Sequence, residues 1–280
     1  MNTIAVVGVG IMGKGIVNNF LKNKYRVVVW SRNKNKLKKI KGAEIARSPK
    51  EATESADIIF EVTANDKSSR SVWLGKNGIL AGSKPNSFLI TCATISTSWV
   101  DELAKRCTKG KRTFFDMPMT GGRIAAETGN LTLLVGGDKS KLKRLEKDLQ
   151  AISGKILYFG KAGMGMRYKL VLNLLQSVHI AGLGEAFELA KELGLNLVDV
   201  GHALTERPGG VITKIGFDSY IKEPKPITFS VEWITKDLIY AKKTARKIKT
   251  PLLDQVLKKY KGVVRNHPQK DWTYINKVSD

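Results

Sequence analysis

The segment GMGMRYKLVLNLL, residues 163–175, sets a lysine and an asparagine into a run that otherwise reads as a buried helix. Lys169 and Asn173 are spaced i,i+4, so on a helix they share one face. A lysine in such a place often snorkels its head group to water; if it does not, burying both polar groups calls for a chemical reason. A second stretch, GVGIMG, supplies Gly8, Gly10, Ile11, Met12 and Gly13 directly after an apolar strand pattern and at the start of a helical one. That is the context in which G-x-G-x-x-G binds a dinucleotide: the first glycine makes the tight turn, the second lets a pyrophosphate approach the backbone, and the third allows close helix packing. About twenty residues further on, where an acid would hold the ribose hydroxyls of NAD, the chain reads Ser31-Arg32-Asn33. Arg32 offers a planar fork for a 2′-phosphate and its neighbours add hydrogen bonds, so NADP is expected over NAD, with Lys36 available to supplement the charge. In the third stretch, DMPMTGGRIAAETGNLTLLVGGD, Thr120, Gly121 and Gly122 present a hydroxyl and open backbone N–H groups suited to a carboxylate, although a TGG loop alone is often only a turn.

These residues need a scaffold, and the first half of the chain supplies a βαβα rhythm: TIAVVGVG, YRVVVWS, ADIIFEVT, SFLITCAT and RTFFDMPM read as strands, with helix-like segments between them that include NKNKLKKIK. NLTLLVGG and KILYFG read as closing strands. The fold class is therefore α/β, with a doubly wound, Rossmann-type parallel sheet. From about residue 162 the pattern changes: MRYKLVLNLLQSVHIAGLGEAFELAKELG has helical apolar spacing, and few strand candidates follow it. The expected division is a dinucleotide-binding domain over 1–162 and an all-helical domain over 163–280, joined by a long helix. A length of 280 residues suits two domains.

Composition excludes little by itself. With 42% hydrophobic and 26% charged residues the chain reads as an ordinary globular protein, and no unbroken apolar run of membrane-spanning length stands out. MNTIAVVGVG lacks the features of a signal peptide, and Cys92 and Cys107 are too far apart for a CxxC pair, so reduced thiols in a cytoplasmic protein are expected. His179, His202 and His267 are isolated and show no metal-ligand spacing; structural roles and no metal are expected. The 48 basic against 25 acidic residues, a formal +23, raise nucleic acid as a partner. The lysines fall in short helical and terminal clusters without a nucleic-acid-binding motif, which favours solvated helix faces.

Taken together, GVGIMGKGIVNNF, EVTANDKSSRSVWLGKNGIL, DMPMTGGRIAAETGNLTLLVGG, GMGMRYKLVLN and FSVEWITKDL resemble, in order and spacing, the β-hydroxyacid dehydrogenase family over nearly the whole chain. That family includes 3-hydroxyisobutyrate dehydrogenases and semialdehyde reductases. The resemblance implies an N-terminal dinucleotide-binding domain, an all-helical second domain that usually builds a homodimer or homotetramer, and a small carboxylate substrate. It implies hydride transfer between NADP(H) and a 3-hydroxy acid or its carbonyl counterpart. Lys169 would be the general acid when a carbonyl is reduced and the base when an alcohol is oxidised, looking into the cleft between domains. Asn173 would orient the substrate, and Thr120, Gly121 and Gly122, with threonine where the family usually has serine, would clamp its carboxylate; Arg123 is placed to meet a second anionic group. Phe229, Lys236 and Asp237 match an F-x₆-KD segment in which the lysine approaches the nicotinamide and the aspartate the catalytic lysine. Val62, Thr63 and Ala64 match the loop along the cofactor, and Thr94 a threonine near the nicotinamide ribose. Many relatives read D-x-S-T where this chain reads Thr91-Cys92-Ala93-Thr94.

Decarboxylating phosphogluconate dehydrogenases share the lysine but carry histidine where Leu172 stands and are much longer, and imine reductases generally lack the lysine. An NAD-dependent 3-hydroxyisobutyrate-type dehydrogenase is the alternative within the class, and a non-catalytic NADP-binding or nucleic-acid-binding protein the alternative outside it.

Overall fold

The computed structural model describes residues 1–206, 210–245 and 249–277. Two compact units divide the chain, Met1–Lys169 and Leu170–Asp280.

In the first unit, apolar runs with buried centres become the central strands: β1 (Thr3–Val7), β2 (Arg26–Trp30), β4 (Ile58–Glu61), β5 (Phe88–Thr91) and β6 (Thr113–Asp116), with a two-residue β3 (Glu44–Ile45) at the edge. β7 (Met119–Thr120), β8 (Leu131–Gly136) and β9 (Ser153–Gly160) complete the sheet in the order β3-β2-β1-β4-β5-β6-β8-β7, with β9 paired to β8. Pairing is parallel from β3 to β6. It turns antiparallel at β6–β8 and β7–β8, so the sheet is mixed rather than wholly parallel. Strand order reverses between β1 and β4, the switch point at which open α/β sheets place their ligands.

Helices cover both faces. On one side α1 (Ile11–Lys22) contributes Ile16, Val17 and Phe20 to a core with Val6, Phe60 and Phe115. On the other, beside the short α2 (Pro49–Glu54) and α4 (Ile79–Gly82), α3 (Asp66–Trp73) and α5 (Thr97–Lys109) bury Trp73, Trp99 and Leu103 against Val7, Ile59 and Leu89. The lysine-rich segment expected to be helical after β2 forms a 3₁₀ turn, Lys34–Lys39, instead. Lys34 and Lys38 lie i,i+4 and repel, and Leu37 is its one side chain in the core, too little to hold an α-helix.

After the short α6 (Gly122–Thr128), α7 (Lys139–Leu142) and α8 (Glu146–Leu149) of the first unit, a 29-residue helix, α9, runs from Met164 to Glu192 as the apolar spacing foretells. By length and mean hydropathy, 1.3, it meets the requirement for crossing a membrane, but it serves as a core helix: Met166 enters a core of the first unit, and Leu170, Ile180 and Ala181 enter that of the second. The second unit is helical, with α10 (Leu197–Thr205), α11 (Gly210–Ile221), α12 (Val231–Thr244), α13 (Pro251–Asn266) and a final 3₁₀ turn, Trp272–Lys277. Its main core joins Val231, Ile234 and Leu238 to Leu257, Tyr260 and Trp272.

Candidate active site

The glycine turn is fixed by packing as much as by conformation. Gly8 has a φ of +110°, donates its N–H to Trp30 O at 2.8 Å, and lies so close to Val62 that a Cβ would overlap the Val62 carbonyl. A Cβ at Gly13 would overlap the Gly8 carbonyl, whereas one at Gly10 would meet open space. Gly10 begins α1 with extended backbone and no side-chain cap, and no acid stands in the first turn. The leading N–H groups of α1 thus face an uncrowded approach with no competing carboxylate, which suits a pyrophosphate. Met12 packs on the core and Ile11 is partly exposed.

Ser31 is buried at the end of β2, while Arg32 and Asn33 are exposed. The Asn33 side chain accepts from Asn35 N at 3.0 Å and caps the 3₁₀ turn, so its oxygen is engaged locally.

Two further loops leave the carboxyl ends of β4 and β5. Val62 N donates to Val7 O at 2.8 Å, and Ala64 N to Ser68 Oγ at 3.3 Å. Between them Thr63 is folded onto Glu61: both its N–H, at 3.0 Å, and its hydroxyl donate to Glu61 Oε1. Thr91, the register partner of Glu61 on β5, donates its hydroxyl to Oε2 at 2.5 Å. Glu61 is fully buried, and burial pushes its pKa upward against the opposing effect of these donors. Sequence reading passed over this residue, which stands one strand away from Thr91. One turn further, Asp66 of α3 accepts from Ser96 N at 2.8 Å and Ser96 Oγ at 2.5 Å, a second tie between the two loops. Thr94 is half-buried in the β5 loop.

Thr120 ends β7, opposite Thr132 of β8, and Gly121 and Gly122 follow with φ of +114° and +67° into α6 (Gly122–Thr128). Two successive left-handed residues aim their N–H groups to one side, an arrangement suited to an anion. Arg123, expected to meet a second anionic group, is paired with Glu127 at 2.6 Å. α6 lies against α1 through Gly15, where a Cβ would overlap the Ala126 carbonyl; Asn19 Nδ2 donates to that carbonyl at 2.8 Å and to Gly15 O at 2.9 Å.

The glycines before Lys169 have a packing reason. Gly163 takes φ +92°, and a Cβ on Gly165 would overlap the Leu134 carbonyl. The carboxylate of Asp116, at the end of β6, accepts from Gly163 N at 2.5 Å and Met166 N at 2.6 Å, capping the start of α9 from another element. Burial moves the Asp116 pKa up to about 6, against those two bonds. Arg167 grips Asp101 through two bonds, 3.1 and 2.8 Å, and Tyr168 stacks on Phe159 at 3.9 Å. With this turn anchored, Lys169 is buried, at 9% exposed.

In the second unit Asn173 Nδ2 donates to Asp237 Oδ2 at 2.6 Å, and Lys236 Nζ lies 3.0 Å from Asp237 Oδ1. Asn173 and Asp237 are buried, so the fold brings three of the expected residues into one polar cluster. Ser230 caps α12 by accepting from Trp233 N, which sets Lys236 and Asp237 one to two turns along it. Phe229 is half-buried just ahead of the cap, its carbonyl bonded by Trp272 N at 2.9 Å. His202 packs edge-on against Phe217 and His267 against Tyr274. Among the described residues no group of three or more His, Cys, Asp or Glu side chains is arranged to hold a metal.

Residues 3–160 match the family described as the NAD binding domain of 6-phosphogluconate dehydrogenase, and residues 163–277 the family described as NAD-binding of NADP-dependent 3-hydroxyisobutyrate dehydrogenase. Over 263 residues the chain is 30% identical to the mitochondrial 3-hydroxyisobutyrate dehydrogenase of Rattus norvegicus, a match covering 89% of this chain and 78% of that protein. Among solved structures, Mycobacterium tuberculosis 3-hydroxyisobutyrate dehydrogenase with L-serine is similar at TM-score 0.88 and 26% identity, covering 99% of this chain and 98% of that one. An imine reductase from Myxococcus stipitatus in complex with NAD⁺ shares the fold at TM-score 0.68 and 16% identity, over 99% and 98% of the two chains. The chain belongs to the β-hydroxyacid dehydrogenase family and is a nicotinamide-dependent oxidoreductase of the 3-hydroxyisobutyrate dehydrogenase type.

Proposed function

We propose that this protein reduces a small carboxylate-bearing aldehyde or 2-oxo acid with NADPH, and oxidises the corresponding hydroxy acid in reverse, with Lys169 as general acid and base. The observation that carries the reading is the burial of Lys169, one turn from the buried Asn173, on a helix whose first turn is pinned by Asp116, Arg167 and Met166. Burying a lysine costs desolvation, which is offset where negative charge develops near its amine.

The residues present fit a dinucleotide. Gly8, Gly10 and Gly13 with the uncapped start of α1 would hold the pyrophosphate. Arg32 and Ser31 would take the 2′-phosphate, with Asn33 adding contacts from its remaining polar groups, and the exposed Arg32 with no acid beside it at 31–33 supports NADP. Val62, Thr63, Ala64, Thr94 and Lys236 would line the nicotinamide end. The bound cofactor supplies or accepts the hydride. Lys169 stabilises the negative charge growing on the carbonyl oxygen and gives it a proton, and takes the proton back from the alcohol in reverse. Thr120 Oγ1 and the N–H groups of Gly121 and Gly122 bind the substrate carboxylate, while Asn173, oriented by Asp237, aligns the substrate; Phe229 closes an apolar side. Exposed Val171, Leu175 and Leu189 along α9, and Leu193 just past its end, support a homo-oligomer.

The test is an NADPH-oxidation screen over glyoxylate, succinic semialdehyde, tartronate semialdehyde and methylmalonate semialdehyde, repeated with NADH. Turnover of at least one with NADPH preferred is expected; no turnover of any with either cofactor would overturn the reading.

A further inference from the structure

We propose that Glu61 is a positioning residue for the cofactor: a buried carboxylate that sets the 62–64 loop against the glycine turn and ties it to the loop after β5. The inference rests on the nicotinamide reading of the β1–β4 edge.

Glu61 closes β4 after Ile58, Ile59 and Phe60, all without exposed surface. A leucine there would extend the same apolar run, and a fully buried carboxyl is costly, so folding alone gives no reason for an acid. Its bonds supply one. Oε1 receives two donors from Thr63, backbone and hydroxyl, and so curls the chain just past the strand; Oε2 receives the Thr91 hydroxyl from the neighbouring strand. The curl is passed on through contact. Val62, between Glu61 and Thr63, carries the carbonyl against which Gly8 is packed with no room for a Cβ. A shift of the 62–64 loop therefore shifts the turn that would receive the pyrophosphate, and a loosened Thr91 loosens Cys92-Ala93-Thr94, whose first N–H is bonded to the Glu61 carbonyl at 2.8 Å. The bonds that this side chain accepts from Thr63 and Thr91 go to one of the two loops and to the strand end that launches the other, and the Trp73 indole N–H of α3 stands beside the same carboxyl.

The distinguishing experiment compares Glu61→Gln, Glu61→Leu and Thr91→Val with wild type, by fluorescence titration of NADPH and by kcat and KM for the best substrate of the screen. A glutamine keeps a carbonyl oxygen for the Thr63 N–H and turns its amide N–H toward the Thr91 oxygen, so it should bind NADPH within about threefold of wild type. Leucine removes every bond and should raise the NADPH dissociation constant by about tenfold or more, with kcat at saturating NADPH falling much less; Thr91→Val should fall between. Wild-type affinity in a folded Glu61→Leu would overturn the inference. If Glu61→Leu does not fold, Thr91→Val decides, and an unchanged dissociation constant there overturns it. A wild-type chain that binds neither NADPH nor NADH would overturn the reading of the site, a result distinguishable from either.

Discussion

Asn173 and Asp237 meet through one 2.6 Å hydrogen bond between α9 and α12, out of contact with water, and Lys236 closes on the other oxygen of the same carboxylate. One acid thus satisfies an amide and a cation at once. Removing it takes the acceptor from the buried Asn173 amide, which is far costlier than replacing the pair by apolar groups. Asp237→Ala is therefore expected to destabilise the second unit by about 2–4 kcal/mol in urea denaturation. Asp237→Asn should lose less, because its oxygen can still accept from Asn173.

Lys169→Ala should lower kcat by about two to four powers of ten, the usual contribution of a positioned proton donor with charge stabilisation, while NADPH affinity in fluorescence titration stays within a few-fold. A variant with undiminished kcat would remove Lys169 from the chemistry.

Arg32 is exposed and free to reorient, so its replacement should leave the fold alone and act on cofactor choice. Arg32→Ala should raise KM for NADPH by about ten- to a hundredfold, from the loss of charge-assisted bonds to the 2′-phosphate, and leave KM for NADH nearly unchanged. The ratio of the two KM values is the measurement.

Asp116 makes stability depend on pH in a direction opposite to that of a salt-bridged acid. Its folded pKa, about 6, lies above the ordinary aspartate value of 3.8, so between the two the folded chain holds the extra proton. Its contribution is full below the lower value and is lost as pH rises through the upper one. Against an Asp116→Asn variant, which cannot titrate there, wild type should lose up to about 1.4 kcal/mol per pH unit of relative stability between pH 4 and 6, with no further change above. Equilibrium unfolding of the pair at several pH values reads this directly.

Much of this was legible because the signals are local. An apolar strand run followed by GVGIMG has one economical fold, and the helical period after Met166 foretells α9 nearly to its ends. The carboxylates were not legible. Glu61 and Asp116 each end an apolar strand, IIFE and TFFD, and an acid closing a buried strand is the one trace they leave in the sequence. Their partners are remote: Thr91 is set beside Glu61 by strand register, and the N–H groups that Asp116 caps are 47 and 50 residues along the chain. No spacing rule reaches that far. Arg123 shows the converse, a local contact: its guanidinium pairs with Glu127 one helical turn away, at the i,i+4 spacing that the sequence itself displays.

Cys92 and Cys107 are both unpaired and buried, and burial raises both thiols, Cys107 to about 12 and Cys92 further still. Thiolate is the species that attacks an alkylating dye, so the native chain offers such reagents almost no foothold. One cysteine placed on any exposed helix face would then take a single fluorophore with both natural cysteines left in place, which makes this protein ready for site-specific fluorescence labelling.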